Sequence, residues 1–323
     1  MIRMDRSWAT IARIYAVPMR TRFRGITVRE GALVHGPAGW GEFSPFLDYD
    51  DRECVPWLSS ALEAATMGWP APVRDRIPIN CIVPVVPPER AHEIVRASGC
   101  GTAKVKVADP GTRPADDLDR VAAVRDALGP AGRIRVDANA AWDVDTAVTA
   151  IRALDRAAGG LEYVEQPCPS VTELAEVRRR VDVPIAADES IRRADDPMRV
   201  ALAGAADIAV IKVAPLGGVR RAMAVAQACG LPCVVSSAVE TSVGLAAGLA
   251  LAGALPALDF ACGLGTIALL SADVVAQPYR PVDGWLPVPT APPEPVELAE
   301  ADPATTTRWR DRLGRVMALS AAA

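Results

Sequence analysis

Arg135-Val136-Asp137-Ala138-Asn139 decides the fold, read together with Val164-Glu165-Gln166-Pro167 and Ala187-Asp188-Glu189-Ser190. Each acid ends an apolar or β-branched run of strand character, and each precedes residues that read as a helix start. A carboxylate buried at a strand end is costly unless a cation sits beside it. Asp137, Glu165 and Asp188 are 28 and 23 residues apart, each about one strand–helix unit. Taken singly, each reads more simply as a loop start or helix cap. Three in register converge only if their strands are parallel neighbours, which points to a divalent metal site at the carboxyl end of a barrel.

From Ile79 the same unit repeats. Strands are expected at 79–83, 103–108, 133–137, 161–165, 183–188, 207–213, 232–236 and 259–263. Helices are expected near 88–97 and over 115–128, 143–158, 171–180, 191–203, 217–229 and 240–254. That alternation argues for a parallel barrel. A doubly wound sheet is the alternative, but no GxGxxG follows any strand. Before the repeat lies a strand-rich unit, with strands 26–30 and 32–35 flanking Gly31 and a turn at 36–39. Asp50 or Asp51 is the expected cap of a helix reaching Ala65, with Pro56 in its first turns. After about 275 the chain turns proline-rich and reads as an extended strap returning to the first unit. Asp302-Pro303 then opens a short terminal helix with Trp309 and Leu313.

At 323 residues the chain can bury a sizeable core. A net charge of −4 and the absence of a basic run argue against nucleic acid as a partner. Seven cysteines without a CxxC read as reduced core residues of a cytoplasmic protein. No apolar run follows Met1-Ile2-Arg3-Met4-Asp5-Arg6, so no signal peptide is expected. The most apolar window, Val243 to Leu255, is too short for a bilayer, which needs roughly 20 residues. It reads as a buried helix, with no membrane partner. His35 and His92 are the only histidines, which disfavours a histidine-based zinc site or triad.

Three lysines sharpen the metal reading. Lys104 and Lys106 lie two apart on one strand and face the same side, the barrel interior. Lys212 ends a strand further round, 24 residues after Asp188. The order is amine, acid, acid, acid, amine around five successive strands. Such a site suits removal of a proton next to a carboxylate, which generates a dianionic enediolate. A divalent cation neutralises that charge as it forms. The base must be a neutral lysine. One unit charge about 4 Å away, at an effective dielectric of about 20, disfavours the ammonium by roughly 4 kcal/mol, about three decades of acidity. Metal and second lysine thus help make the first a base. Ser236-Ser237 and Gly263 end the last two strands and are candidates to hold a distal carboxylate or carbonyl of the substrate. The segments Arg22-Phe23-Arg24-Gly25 and Gly39 to Phe46 are candidate lids over the mouth. Glu189 and Asp143 read as helix-start residues.

These motifs resemble the enolase superfamily, muconate-lactonizing subgroup, over nearly the whole chain. The resemblance rests on Lys104-Val105-Lys106, Val136 to Asn139, Val164 to Pro167, Asp188-Glu189-Ser190 and Ile211-Lys212. It implies an α/β fold: a modified (β/α)7β TIM-like barrel over 79–272. An α+β capping domain over 1–78 is completed by a C-terminal segment, 273–323. It further implies Mg²⁺, with Mn²⁺ as a substitute, held by Asp137, Glu165 and Asp188. Stretches 22–26, 29–31 and 36–46 most resemble the actinobacterial o-succinylbenzoate synthases of menaquinone biosynthesis. For that family Lys106 would abstract the proton α to the carboxylate and then protonate the departing hydroxyl. Lys212, on the opposite face, would stay charged, and Lys104 and Asn139 would support substrate binding.

Lysines on both faces also permit racemisation, so an N-succinylamino acid racemase or dipeptide epimerase is the nearest rival. Phe260-Ala261-Cys262-Gly263 offers no acid for a peptide ammonium, which lowers the epimerase reading. Muconate cycloisomerase is further off, and a barrel that only binds a metabolite has no need of opposed lysines. The expected partner is a small carboxylate, acted on by a monomer or small homo-oligomer.

Overall fold

β-Branched and small apolar residues fill short parallel staves because a barrel buries both faces of its strands. A computed structural model describes residues 12–192, 199–297 and 301–322. Strands β1 (Arg13–Phe23), β2 (Ile26–Gly36) and β3 (Gly39–Phe43) form an antiparallel sheet, backed by helix α1 (Val55–Thr66). Strand β4 (Arg76–Pro78) then leads into the repeat.

The repeat builds a consecutive parallel sheet: β5 (Cys81–Val83), β6 (Thr102–Lys106), β7 (Arg133–Asp137), β8 (Tyr163–Glu165), β9 (Ile185–Ala187), β10 (Ile208–Ile211) and β11 (Cys233–Val235). The stave expected at 259–263 closes the ring through two parallel bridges, Ser236 with Gly263 and Ile79 with Cys262. Gly263 N donates to Val235 O at 2.8 Å, and Asn80 N to Cys262 O at 2.9 Å. Consecutive order and closure decide for the barrel over the doubly wound sheet. Tyr163, Ala186, Ile208, Val210 and Val234 pack inside it with Phe260 as a floor. Arg135 crosses this floor fully buried, stacked 4.7 Å from Tyr163 and 5.7 Å from Phe260, and donates to Ala261 O at 2.6 Å.

Helices α2 (Pro88–Ser98), α3 (Pro114–Leu128), α4 (Val144–Ala158) and α5 (Val171–Arg178) connect the early staves, close to expectation. The helix expected at 191–203 is described as two turns, α6 (Glu189–Arg192) and α7 (Arg199–Leu202); residues 193–198 lie outside the described residues, as does the stretch 1–6. The helix expected at 217–229 forms from Val219, with an unexpected extra turn before it. α8 (Val213–Leu216) follows Lys212 directly, and Gly217 and Gly218, at φ 92° and 118°, turn the chain before α9 (Val219–Cys229). The apolar window is α10 (Ser242–Ala254), buried along its length. Among the described residues no helix is long and apolar enough to cross a membrane. Six of the seven cysteines are buried.

Three expectations in the first and last units are corrected. Gly31 is not a break: β2 runs straight through it, and a Cβ there would stand 2.5 Å from the Tyr15 hydroxyl. Close approach, not a turn, requires that glycine. Asp50 does not cap α1, which starts after Cys54; Asp50 and Glu53 instead exchange side-chain-to-backbone bonds at 2.8 and 3.0 Å in the preceding turn. The terminal helix is long rather than short, α11 (Pro303–Ala322), with Asp302 capping Ala304 N and Thr305 N at 3.0 Å. The strap pairs β12 (Trp285–Pro287) with β4, and Trp309 and Arg312 of α11 reach Glu30, Phe46 and Tyr49.

Candidate active site

Register brings the site together. Lys104 lies opposite Arg135 and Lys106 opposite Asp137, while Asp137 lies opposite Glu165 on the next stave. Asp188 and Lys212 follow β9 and β10 directly. Because side chains alternate along a strand, these positions share the inner face at the carboxyl end. The three acids are 1% exposed or less.

Amines flank them on two sides. Lys104 Nζ donates to both Glu165 oxygens at 3.0 and 2.9 Å and stands 3.4 Å from Asp137 Oδ2. Lys106 Nζ donates to Asp137 Oδ2 and to Asn139 Oδ1, each at 2.6 Å. From the other side Lys212 Nζ meets Asp188 Oδ2 at 2.5 Å. Burial pushes Asp137 toward protonation, but Lys106 and Lys104 outweigh it and hold the carboxyl well below its ordinary value. Glu165 goes the other way: burial, then repulsion from Asp137, raise it to about 7 against the pull of Lys104. Burial disfavours the Lys104 ammonium, yet Glu165 and Asp137 hold it well above the usual lysine value. As these acids stand, Lys104 is their ammonium partner.

Among the described residues no three His, Cys, Asp or Glu side chains are arranged to hold an ion as they stand. Ammonium groups take carboxylate oxygens there. The donor chemistry nonetheless fits a hard divalent cation, since all three groups are buried oxygen acids on neighbouring staves. The repulsion from Asp137 and Asp188 that helps raise Glu165 is what such a cation would relieve.

Two residues hold the acids through left-handed backbone. Asn139, at φ 47°, donates its N–H to Asp137 Oδ1 at 3.0 Å while its side chain accepts from Lys106. Gln166, at φ 38°, accepts from Asp188 N at 2.9 Å and Ser190 N at 3.2 Å and donates to Ser190 Oγ at 2.8 Å. This is also why β9 ends at Ala187: the next amide bonds to a side chain. Such backbone costs about 1–3 kcal/mol per residue and persists where its surroundings over-determine it. Gln166 stood in a quoted motif, but nothing in its spacing revealed this role.

A cleft opens above, lined by Lys104, Lys106, Asp137, Asn139, Lys212, Ser236 and Ser237. Gly263 is not at its wall; it packs behind Ser236, whose Oγ would stand 2.5 Å from a Cβ there. Trp57, Ile82, Pro215, Ala238, Val239 and Thr266 also line it and carried no recognisable sequence signal. The turn at Arg24-Gly25 does reach the mouth, with the Phe23 ring 5.1 Å from Lys106 Nζ. The second candidate lid does not behave as one. Gly39–Phe43 is strand β3, with Gly41 pressed on α1 and Glu42 buried, and only Phe46 reaches the cleft.

The comparisons agree with this architecture. A family described as "Enolase C-terminal domain-like" matches residues 88–300, and "Enolase N-terminal domain-like" matches 14–65. Enzymes of that superfamily typically depend on a divalent metal. The solved structure of the L-Ala-D/L-Glu epimerase from Bacillus subtilis superposes with a TM-score of 0.75 at 25% identity, covering 90% of this chain and 98% of that one. Among curated proteins, the o-succinylbenzoate synthase of Thermobifida fusca is 64% identical over 95% of this chain and 96% of its own. That of Mycolicibacterium smegmatis is 58% identical over 92% and 91%. With identity of that extent, end to end, on this barrel, the chain belongs to the enolase superfamily and, within it, to the o-succinylbenzoate synthase family.

Proposed function

We propose that the chain is a lyase that dehydrates 2-succinyl-6-hydroxy-2,4-cyclohexadiene-1-carboxylate to 2-succinylbenzoate in menaquinone biosynthesis. The observation that carries the mechanism is the pair of amines, Lys106 and Lys212, on opposite sides of three buried acids. Lys106 takes the proton α to the carboxylate and returns it to the departing hydroxyl on the same face. Lys212 faces the developing enediolate from the other side with its ammonium. Lys104 and Asn139 orient Glu165 and Asp137 and support substrate binding. Asp137, Glu165 and Asp188 would hold Mg²⁺, or Mn²⁺ in its place, which when bound supplies the positive charge that stabilises the enediolate. The Phe23 ring flanks Lys106 at the mouth, 5.1 Å from its Nζ. Ser236 and Ser237 contact the succinyl end, with Gly263 placing Ser236.

We assign residues 1–78 to the capping domain, 79–272 to the barrel and 273–323 to the returning segment. The acidic composition and buried cysteines support a cytoplasmic monomer or small homo-oligomer with neither nucleic acid nor membrane as partner. The opposed amines suit racemisation of an N-succinylamino acid too, and deuterium uptake with loss of optical activity would reveal it. The deciding assay is turnover of the cyclohexadiene with Mg²⁺ added and then chelated. Aromatic absorbance should rise with metal and stop without it; no product in either condition would remove the assignment.

A further inference from the structure

Away from the acids lies a second buried polar cluster, at the seam between the capping sheet and the barrel. Arg29 on β2 and Glu42 on β3 are 2% and 5% exposed. They do not pair directly; Ser44 lies between them, 2.9 Å from Arg29 Nη2 and donating to Glu42 Oε1 at 2.7 Å. Both reach the segment 238–244, some 200 residues away in sequence. Arg29 Nε donates to Val239 O at 2.8 Å, and its Nη2 to Ala238 O at 3.3 Å and to Ser44 O. Glu42 accepts from Thr241 N at 3.1 Å, from Thr241 Oγ1 and from Gly244 N at 2.9 Å, so it caps α10 from another unit. Glu240 ties the same turn, accepting from Ala238 N at 2.6 Å.

That turn is a wall of the cleft: Ser236, Ser237, Ala238 and Val239 all line it. Val239 sits at φ 64°, a conformation that β-branched residues avoid. Arg29 also lies 4.7 Å over the ring of Phe46, which faces the same cleft. One guanidinium therefore holds two walls and the strained residue between them.

We propose that Arg29 and Glu42 are positioning residues for the substrate: they lock the 236–241 wall, through the left-handed backbone of Val239, in the shape that receives the end of the substrate remote from the lysines. Neither touches the reacting atoms. The kinetic part rests on the dehydratase reading; the structural part does not.

The test is Arg29→Lys, which keeps the charge but cannot reach both carbonyls and Ser44 from a single nitrogen. KM should rise by about tenfold or more, the loss expected from charged hydrogen bonds, while kcat stays within about threefold. Amide hydrogen exchange across 236–244 should quicken by about tenfold or more, with α4 on the far side unchanged. An unchanged KM, or equal quickening in α4, would overturn the proposal. Exchange needs no substrate, so a failure of wild-type turnover would count against the dehydratase reading and leave the seam to be decided by exchange alone.

Discussion

Two buried polar clusters sit within one molecule and are built on opposite rules. At the barrel mouth, charges face charges: Lys104 with Glu165, Lys106 with Asp137, Lys212 with Asp188. At the seam, charges face backbone and hydroxyls rather than each other: Arg29 takes carbonyls, and Glu42 takes amides and the hydroxyls of Ser44 and Thr241. Side-chain pairs can exchange partners for a metal or a substrate, because each loses one ionic partner and gains another. Backbone partners cannot leave without unfolding the turn that carries them. The mouth is thus arranged for substitution and the seam for permanence, and the two respond differently to perturbation.

The largest contrast is expected from metal. Chelation should abolish turnover, whereas titrating Mg²⁺ to about a hundred times its dissociation constant should stabilise the fold by about 2.7 kcal/mol, read by denaturant melts. A protein indifferent to Mg²⁺ in both measurements breaks the comparison on the mouth side. Next is Lys212→Ala. Removing it should lower kcat by roughly 10²–10⁴-fold with KM and secondary structure little altered, as stopped assays and circular dichroism will show.

Both clusters answer to pH, since Glu165 at the mouth is also raised to about 7, and at the seam one residue carries the effect. Burial, and then Glu42, raise Glu240 to about 7, with Arg29 pulling the other way. Its proton is held more tightly folded than unfolded, so its contribution to stability is complete below about pH 4.5 and is lost as pH rises to about 7. At about 1.4 kcal/mol per decade the whole effect is on the order of 3 kcal/mol. Glu240→Gln should flatten that part of the stability profile; an unaltered profile rejects this account of the seam. The smallest effect is expected at Asp302, the cap of α11, where Asp302→Ala should cost about 1 kcal/mol without touching kcat.

The same contrast explains what the sequence made legible. Lys106, Asp137 and Glu165 end successive staves, Asp188 follows the next and Lys104 shares the face of Lys106, so parallel register turns a spacing of about one unit into proximity. The staves and most helices follow from apolar periodicity for the same reason. Gln166 left no trace, because its bonds go to backbone 22 and 24 residues away. Arg29 and Glu42 are more distant still, reaching Val239 and Thr241 over 210 and 199 residues. Nothing local marks such a pair. Gly31 was read as the gap between two strands because a strand break and a close approach ask for the same residue, and only the Tyr15 hydroxyl tells them apart. Gly41 and Glu42 looked like loop for a similar reason, since pressure from α1 is not written nearby in the chain.

Lys106→Ala tests the central claim most directly, with Mg²⁺ binding and cyclohexadiene turnover measured on one sample. Metal should still bind, because Asp137, Glu165 and Asp188 are intact, and turnover should fall by roughly 10³-fold or more. Turnover within about tenfold of wild type, with metal bound, would mean that another group takes the proton, and the role given to the opposed amines would be wrong.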